Sequence, residues 1–123
     1  MAGSVIYLCP GQGAQTVAMG KAWADASPAA RAVFDEADAL LSDMLGTPLS
    51  QLCFQGPADR LNATDVSQPA IYTCSVACYR GLLEQDHDLA EASIADTAGL
   101  SLGEYTALHL AEVFDFATGL QLV

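Results

Sequence analysis

Ala98-Gly99-Leu100-Ser101-Leu102-Gly103-Glu104-Tyr105 is the stretch from which the fold is read. Ahead of it, Ser93-Ile94-Ala95-Asp96-Thr97-Ala98 is short and partly β-branched, as a strand is. After it, Tyr105 to Val113 reads as a helix. A strand, then G-x-S-x-G, then a helix is the setting of a nucleophile elbow. So sharp a turn brings the residues two before and two after the serine together. Gly99 and Gly103 stand where a side chain would clash. The turn predicts Ser101 Oγ at the tip of a sheet and the Leu102 N–H aimed at the same space. That N–H lies at a helix N-terminus, where a developing oxyanion is favoured. G-x-S-x-G also arises by chance, and it is the flanking strand and helix that make this one a catalytic candidate.

Working outward, Val5-Ile6-Tyr7-Leu8-Cys9 reads as a buried strand of parallel type. It runs into Pro10-Gly11-Gln12-Gly13-Ala14-Gln15, where two glycines let backbone N–H groups approach a ligand. The loop is either the second donor of an oxyanion hole or an ordinary strand-to-helix turn. It is not a P-loop, because no G-K-[ST] follows.

Met19 to Ala26 predicts a short helix, and Ser27-Pro28 the cap and first position of another. That second helix has an apolar stripe of Val33, Ala37, Leu40, Leu41 and Met44, with Asp35, Glu36, Asp38 and Asp43 on its wet side. Gly46-Thr47-Pro48 ends it. One more helical turn is expected over Leu49–Phe54, a turn at Gln55-Gly56-Pro57 and a short helix over Ala58–Leu61. Asn62 to Pro69 reads as extended or loop. The next helix runs from Gln68 to Gln85 and is apolar so far round that burial on several sides is expected. Gln68, at its start, is either a buried polar group needing a partner or a solvated cap. Gln85 to Glu91 reads as a solvated connection, and Asp115 as the cap of a last helix.

The two histidines fit no serine-activating role. His87 lies among acids in the connection. His109 follows Ser101 by eight residues, ~12 Å along a helix axis, whereas a general base must come within about 3 Å of the hydroxyl. Cys9, Cys53, Cys74 and Cys78 contain no C-x-x-C, so core thiols in a reducing, cytoplasmic setting are expected and a metal site is not.

The bulk figures narrow the partners. The chain has 123 residues and a net charge of −11, with Lys21, Arg31, Arg60 and Arg80 as its only basic residues. Nucleic acid and anionic membranes are poor partners for such a surface. No apolar run approaches the roughly 18–20 residues of a membrane span. Residues 1–10 lack the basic start of a signal peptide. Hydrophobic residues make up 52% and charged residues 15%, with a mean hydropathy of +0.30. So small a domain has much surface to cover, so that composition implies helices buried by further protein or a chain that associates with itself.

The N-terminal strand with its Pro10–Gln15 loop, then Gly56-Pro57, then Ser67-Gln68-Pro69-Ala70, then Gly99–Tyr105 together resemble the malonyl-CoA:acyl carrier protein transacylases. The acyltransferase domains of polyketide synthases look similar. The resemblance runs in order along nearly the whole chain. It implies an α/β fold: a helix-rich part of a flavodoxin- or hydrolase-like parallel-sheet core, with a small ferredoxin-like subdomain absent. Residues 1–123 would be an incomplete N-terminal part of the large subdomain. It implies transfer of malonyl from coenzyme A to Ser101 and on to the phosphopantetheine thiol of acyl carrier protein, with no cofactor beyond the thioester substrate. By resemblance the oxyanion donors are the backbone N–H groups of Gln12 and Leu102, and Gln68 lies near the acyl pocket.

Leu100 stands where that family usually carries histidine. The family's carboxylate-pairing arginine falls just beyond Val123, and its catalytic histidine far beyond. The expectations are therefore that the chain continues past Val123, that it is inactive alone and that it self-associates. Its acidity places the acyl carrier protein docking patch in the remaining protein. Two other classes stay open on the residues: a serine esterase or lipase-like hydrolase, and a non-catalytic binding subunit or remnant.

Overall fold

The computed structural model describes residues 3–123. Strand β1 (Ser4–Cys9) pairs in parallel with β2 (Ser93–Gly99), from Ser4 opposite Ser93 to Cys9 opposite Gly99, with one irregular step between Val5 and Ile6. The two carboxyl ends therefore finish side by side. Between the strands lie α1 (Lys21–Ala26), α2 (Pro28–Leu45), α3 (Leu49–Gln55), α4 (Ala58–Leu61), α5 (Thr64–Gln85) and α6 (His87–Glu91). Helices α7 (Leu102–Leu110) and α8 (Phe116–Leu122) follow β2. The architecture is α/β, helix-rich, with a small parallel sheet, as expected.

Strand β1 is not buried on both sides. Tyr7 packs its ring edge-on against Tyr79 of α5, with centroids 5.1 Å apart. On the other face Ile6 is 63% and Leu8 79% exposed. Parallel strands are normally covered on both faces, and among the described residues nothing covers this one.

Helix α2 begins as its sequence predicts. The Ser27 hydroxyl accepts the Ala30 N–H at 3.1 Å, with Pro28 at the first helical position. The same hydroxyl donates to the Glu84 carboxylate, which ties this end to α5. Gly46 ends α2 in the left-handed region at φ 77, where glycine carries no Cβ penalty. The buried stripe is Ala30, Val33, Phe34, Ala37 and Leu41. Leu40 and Met44 were expected in it but are exposed, lying at the edge of the stripe that faces the core. Asp38 is not simply on a wet face. Its carboxylate accepts the Ser50 N–H at 2.8 Å and the Ser50 hydroxyl at 2.6 Å, holding the start of α3.

Helix α5 is the axle of the helical layer and packs against α1, α2, α3, α4, α6, α7 and α8. It starts at Thr64, so the expected loop over 62–69 is helical for most of its length. Pro69 suggested a helix start, yet it sits inside the helix. An interior proline costs about 3 kcal/mol. Upstream of it Val66 is fully buried, and Arg60 bonds the Asp65 carboxylate at 3.0 Å, which together support the extra turn. The expected connection over 85–91 is likewise mostly the short helix α6, capped by Asp86 accepting the Leu89 N–H at 3.1 Å. Helix α7 spans Leu102–Leu110 rather than running on to Val113. Asp115 caps α8 through the Thr118 N–H at 2.7 Å.

All four cysteines are free thiols. Cys53 lies in the core, and burial with the nearby Asp38 carboxylate pushes its thiol up to about 12.

Tyr72 is fully buried on α5, stacks on Phe116 and donates to the Phe116 carbonyl at 3.1 Å. Gly119 lies against it, and a Cβ there would stand 2.1 Å from the Tyr72 oxygen. Gly119→Ala should therefore destabilise the protein by about 1–3 kcal/mol through overpacking. Gly3→Ala, where a Cβ meets nothing within 4 Å, should leave stability unchanged. Urea denaturation of the two variants checks this.

Candidate active site

Strand β2 ends at Gly99, and α7 begins only two residues after Leu100. A reversal this tight requires backbone to lie on backbone. A Cβ on Gly99 would stand 2.3 Å from the Gly103 carbonyl carbon and oxygen. A Cβ on Gly103 would stand 2.3 Å from the Cys9 carbonyl oxygen, at the end of β1. Neither position has room for a side chain. Ser101, between them, has φ 53 and ψ −112, a conformation that costs a residue with a side chain of order 1–3 kcal/mol. Thr97 helps to hold the turn, donating its hydroxyl to the Ala107 carbonyl at 2.8 Å and so tying β2 to α7.

The first loop meets this turn from the end of β1. A Cβ on Gly11 would lie 2.9 Å from the Leu100 carbonyl oxygen, so the two loops touch through their backbones. Between them opens a cleft of about 690 Å³ whose lining includes Gly11, Gln12, Gly99, Leu100 and Ser101. Ser101 is exposed, and Leu100 is 84% exposed beside it. The Leu102 side chain is buried, leaving its N–H as the first of α7. Among the described residues neither the Gln12 nor the Leu102 N–H has an acceptor. Helix N–H groups in a first turn have no intrahelical partner, so the Leu102 donor is free for a ligand. None of the residues lining the cleft is charged.

The Pro10–Gln15 loop is held from below by polar side chains. Ala14 N–H donates to Gly11 carbonyl at 3.2 Å, closing a turn with Gly13 in its third position at φ +108. The Gln15 side-chain oxygen accepts the Gly13 N–H at 2.8 Å, and its amide nitrogen donates to Asn62 Oδ1 at 3.1 Å. The Gln12 side chain sits at longer range, 3.5 Å from Thr64 Oγ1 and 3.4 Å from Gln68 Nε2. Gln68 is thus in the second turn of α5, half-buried, and reaches the cleft only through Gln12. It is not the solvated cap of a helix start. Sequence reasoning missed Gln15, Asn62 and Thr64. The composition of a turn carries no signal that a glutamine will fold back onto it.

The site thus gathers Ser101, Gly99, Gly103, the Leu102 N–H and the Gln12 loop, with Gln68 behind. His109 stays apart from it. Its Nδ1 lies 3.0 Å from the Phe114 carbonyl and its Nε2 3.5 Å from Arg80 Nη2, against Tyr72 and Phe116. His87 is exposed on α6. Among the described residues no group of three or more metal-ligating side chains is placed to hold an ion. Among the described residues no helix is long and apolar enough to cross a membrane.

The family model for the acyl transferase domain matches residues 6–122. The malonyl CoA-acyl carrier protein transacylase of Escherichia coli (strain K12) is 45% identical over 117 residues, covering 95% of this chain and 35% of that protein. The polyketide biosynthesis malonyl CoA-acyl carrier protein transacylase PksC of Bacillus subtilis (strain 168) is 39% identical over 119 residues, covering 97% of this chain and 38% of that protein. The crystal structure of a malonyl-CoA:acyl carrier protein transacylase from Xanthomonas oryzae superposes with a TM-score of 0.82 at 36% identity. That superposition covers all of this chain and 37% of the other. This chain therefore spans little more than a third of the relatives it matches. Matched from residue 6 to residue 122 and alike in fold to these transacylases, it belongs to the acyl transferase domain family.

Proposed function

We propose that the full-length protein containing this chain transfers malonyl from coenzyme A to acyl carrier protein, in fatty acid or polyketide synthesis, through an ester on Ser101. The observation that carries the reading is Ser101 itself. It is exposed at φ 53 between two glycines that touch, beside an N–H with no acceptor among the described residues. Kinship with proteins named as transacylases supports the choice of substrates. One solved relative is described as a type II polyketide acyl-carrier protein in complex with its malonyl-transacylase, matching this chain at a TM-score of 0.81 and 38% identity.

The chemistry follows from the geometry. Ser101 Oγ attacks the thioester carbonyl, and the carbonyl oxygen takes up negative charge. In this reading the N–H groups of Leu102 and Gln12 stabilise that charge, a contribution worth about 10²–10³ in rate per donor in comparable sites. Gln68 steadies the Gln12 side chain at the acyl end. Coenzyme A leaves as its thiol, and the phosphopantetheine thiol of acyl carrier protein then attacks the ester and frees the serine. The serine must lose a proton in the first step, and among the described residues no side chain hydrogen-bonds its hydroxyl to take it. His109 is held by Phe114 and Arg80 instead. The uncharged cleft also holds no cation to pair with a malonyl carboxylate. Base and clamp would come from outside residues 1–123. The fold reading that goes with this is a hydrolase-like core whose remaining strands and ferredoxin-like subdomain lie there too, in a cytoplasmic enzyme.

The full-length protein should form an acyl-enzyme with malonyl-CoA that persists until holo acyl carrier protein is added. Ser101→Ala should lower transfer by about 10⁴-fold or more. Loss of the ester to water at the same rate with and without the carrier would make the protein a hydrolase instead.

The 123-residue chain alone should be nearly silent with malonyl-CoA and should self-associate through the open face of β1, where Ile6 and Leu8 are exposed. Sedimentation should show mass rising with concentration, and Leu8→Glu should suppress it. A monomer at all concentrations, or ordinary turnover by the chain alone, would contradict this pair of expectations.

A further inference from the structure

The loop that presents Gln12 has no regular structure of its own, so something must choose its conformation. In a turn closed from residue four to residue one, the middle peptide can face either way with little change elsewhere. Here that peptide joins Gln12 to Gly13, and Gly13 has φ +108, where glycine is unstrained and other residues are not. Its N–H is taken by the Gln15 side chain at 2.8 Å. A backbone N–H can only donate, so the Gln15 atom facing it is the oxygen, and the amide nitrogen is left to donate to Asn62 at 3.1 Å. Asn62 caps the end of α4, next to the start of α5. Gln15 is half-buried, and its carboxamide thus spans from the turn to the helical layer.

We infer that Gln15, anchored by Asn62, is a positioning residue that sets the orientation of the Gln12 peptides and so completes the oxyanion hole. The inference rests on the acyl-transfer reading above. It adds a residue that touches no substrate and acts through the loop. Without that tie the Gly11–Ala14 turn as a whole is free to shift from the helical layer, and Gln12, at its second position, shifts with it. Hydrogen-bond donors in an oxyanion hole act only when already aimed at the oxygen, so a loop that shifts loses rate without losing substrate binding.

The test uses the full-length protein and two measurements. The first is amide hydrogen exchange at Gly13, which needs no substrate. The second is the steady-state transfer of malonyl to holo acyl carrier protein. Gln15→Met removes both hydrogen bonds at similar volume. It should expose the Gly13 amide to exchange and lower kcat by about 10–100-fold with KM nearly unchanged, the scale expected for a misplaced catalytic donor. Gln15→Glu still accepts the Gly13 N–H, and Asn62 can turn its own amide to donate, so this variant should regain most of the rate. Asn62→Asp keeps its acceptor oxygen and should behave likewise, whereas Asn62→Ala should cost several-fold in kcat. Should Gln15→Met not fold, the contrast between Asn62→Ala and Asn62→Asp, both at an exposed residue, decides the matter.

Faster exchange at Gly13 with kcat untouched would overturn the inference and leave the acyl-transfer reading standing. So would a fall in rate that Gln15→Glu does not rescue. If the unaltered protein loads no malonyl on Ser101, the acyl-transfer reading fails and this role falls with it. The exchange result would then report only on the turn.

Discussion

The site depends on one contact, backbone against backbone, among Gly99, Gly103 and the Cys9 carbonyl. It brings the ends of β1 and β2 and the first turn of α7 closer than any side chain allows, at 2.3 Å for a Cβ at either glycine. The strained serine, the free Leu102 N–H and the touching Gly11 loop all follow from that closeness. The strain at Ser101 is of order 1–3 kcal/mol. On the other side of the balance, α7 buries Leu102 and Leu110, each worth about 1.5–3 kcal/mol. The packing of α7 is therefore large enough to hold the elbow in its strained form, and Thr97 adds a hydrogen bond at its root.

Helix α5 is the second support. It carries Thr64 and Gln68 toward the first loop at one end and the Tyr72 stack against α8 in its middle. Its start, five residues before the proline, is what places Thr64 there, close to Asn62 and so to the anchor of Gln15. A chain that began this helix at Pro69 would leave the Gln12 loop without those polar neighbours. Structure that looks peripheral to the elbow thus bears on whether two N–H groups point at one oxygen.

What was legible in the sequence was what only one residue type can do. The glycines of the elbow and the stop at Gly46 are needed for backbone reasons, and Ser27-Pro28 and Asp115 act through short-range hydrogen bonds that leave a local pattern. The parallel pairing of the two strands followed from their type and from the helices between them. The illegible parts were settled at long range. Pro69 lies inside a helix because Val66 finds a buried place upstream. Asp38 looks like a wet-face acid until Ser50, twelve residues on, turns out to be its partner. Leu40 and Met44 match the apolar period but are left exposed. Gln15 folds back onto the first loop because Asn62, forty-seven residues on, anchors its side chain. The open face of β1 was legible only as an excess of apolar composition, without a location.

The central claim is that the elbow serine is the atom that carries the acyl group. Peptide mapping by mass spectrometry, on the full-length protein quenched after exposure to malonyl-CoA, tests it most directly. The account predicts one malonyl group, carried as an ester on Ser101. Malonyl on any other residue, or a Ser101 peptide that stays unmodified while transfer proceeds, would contradict it.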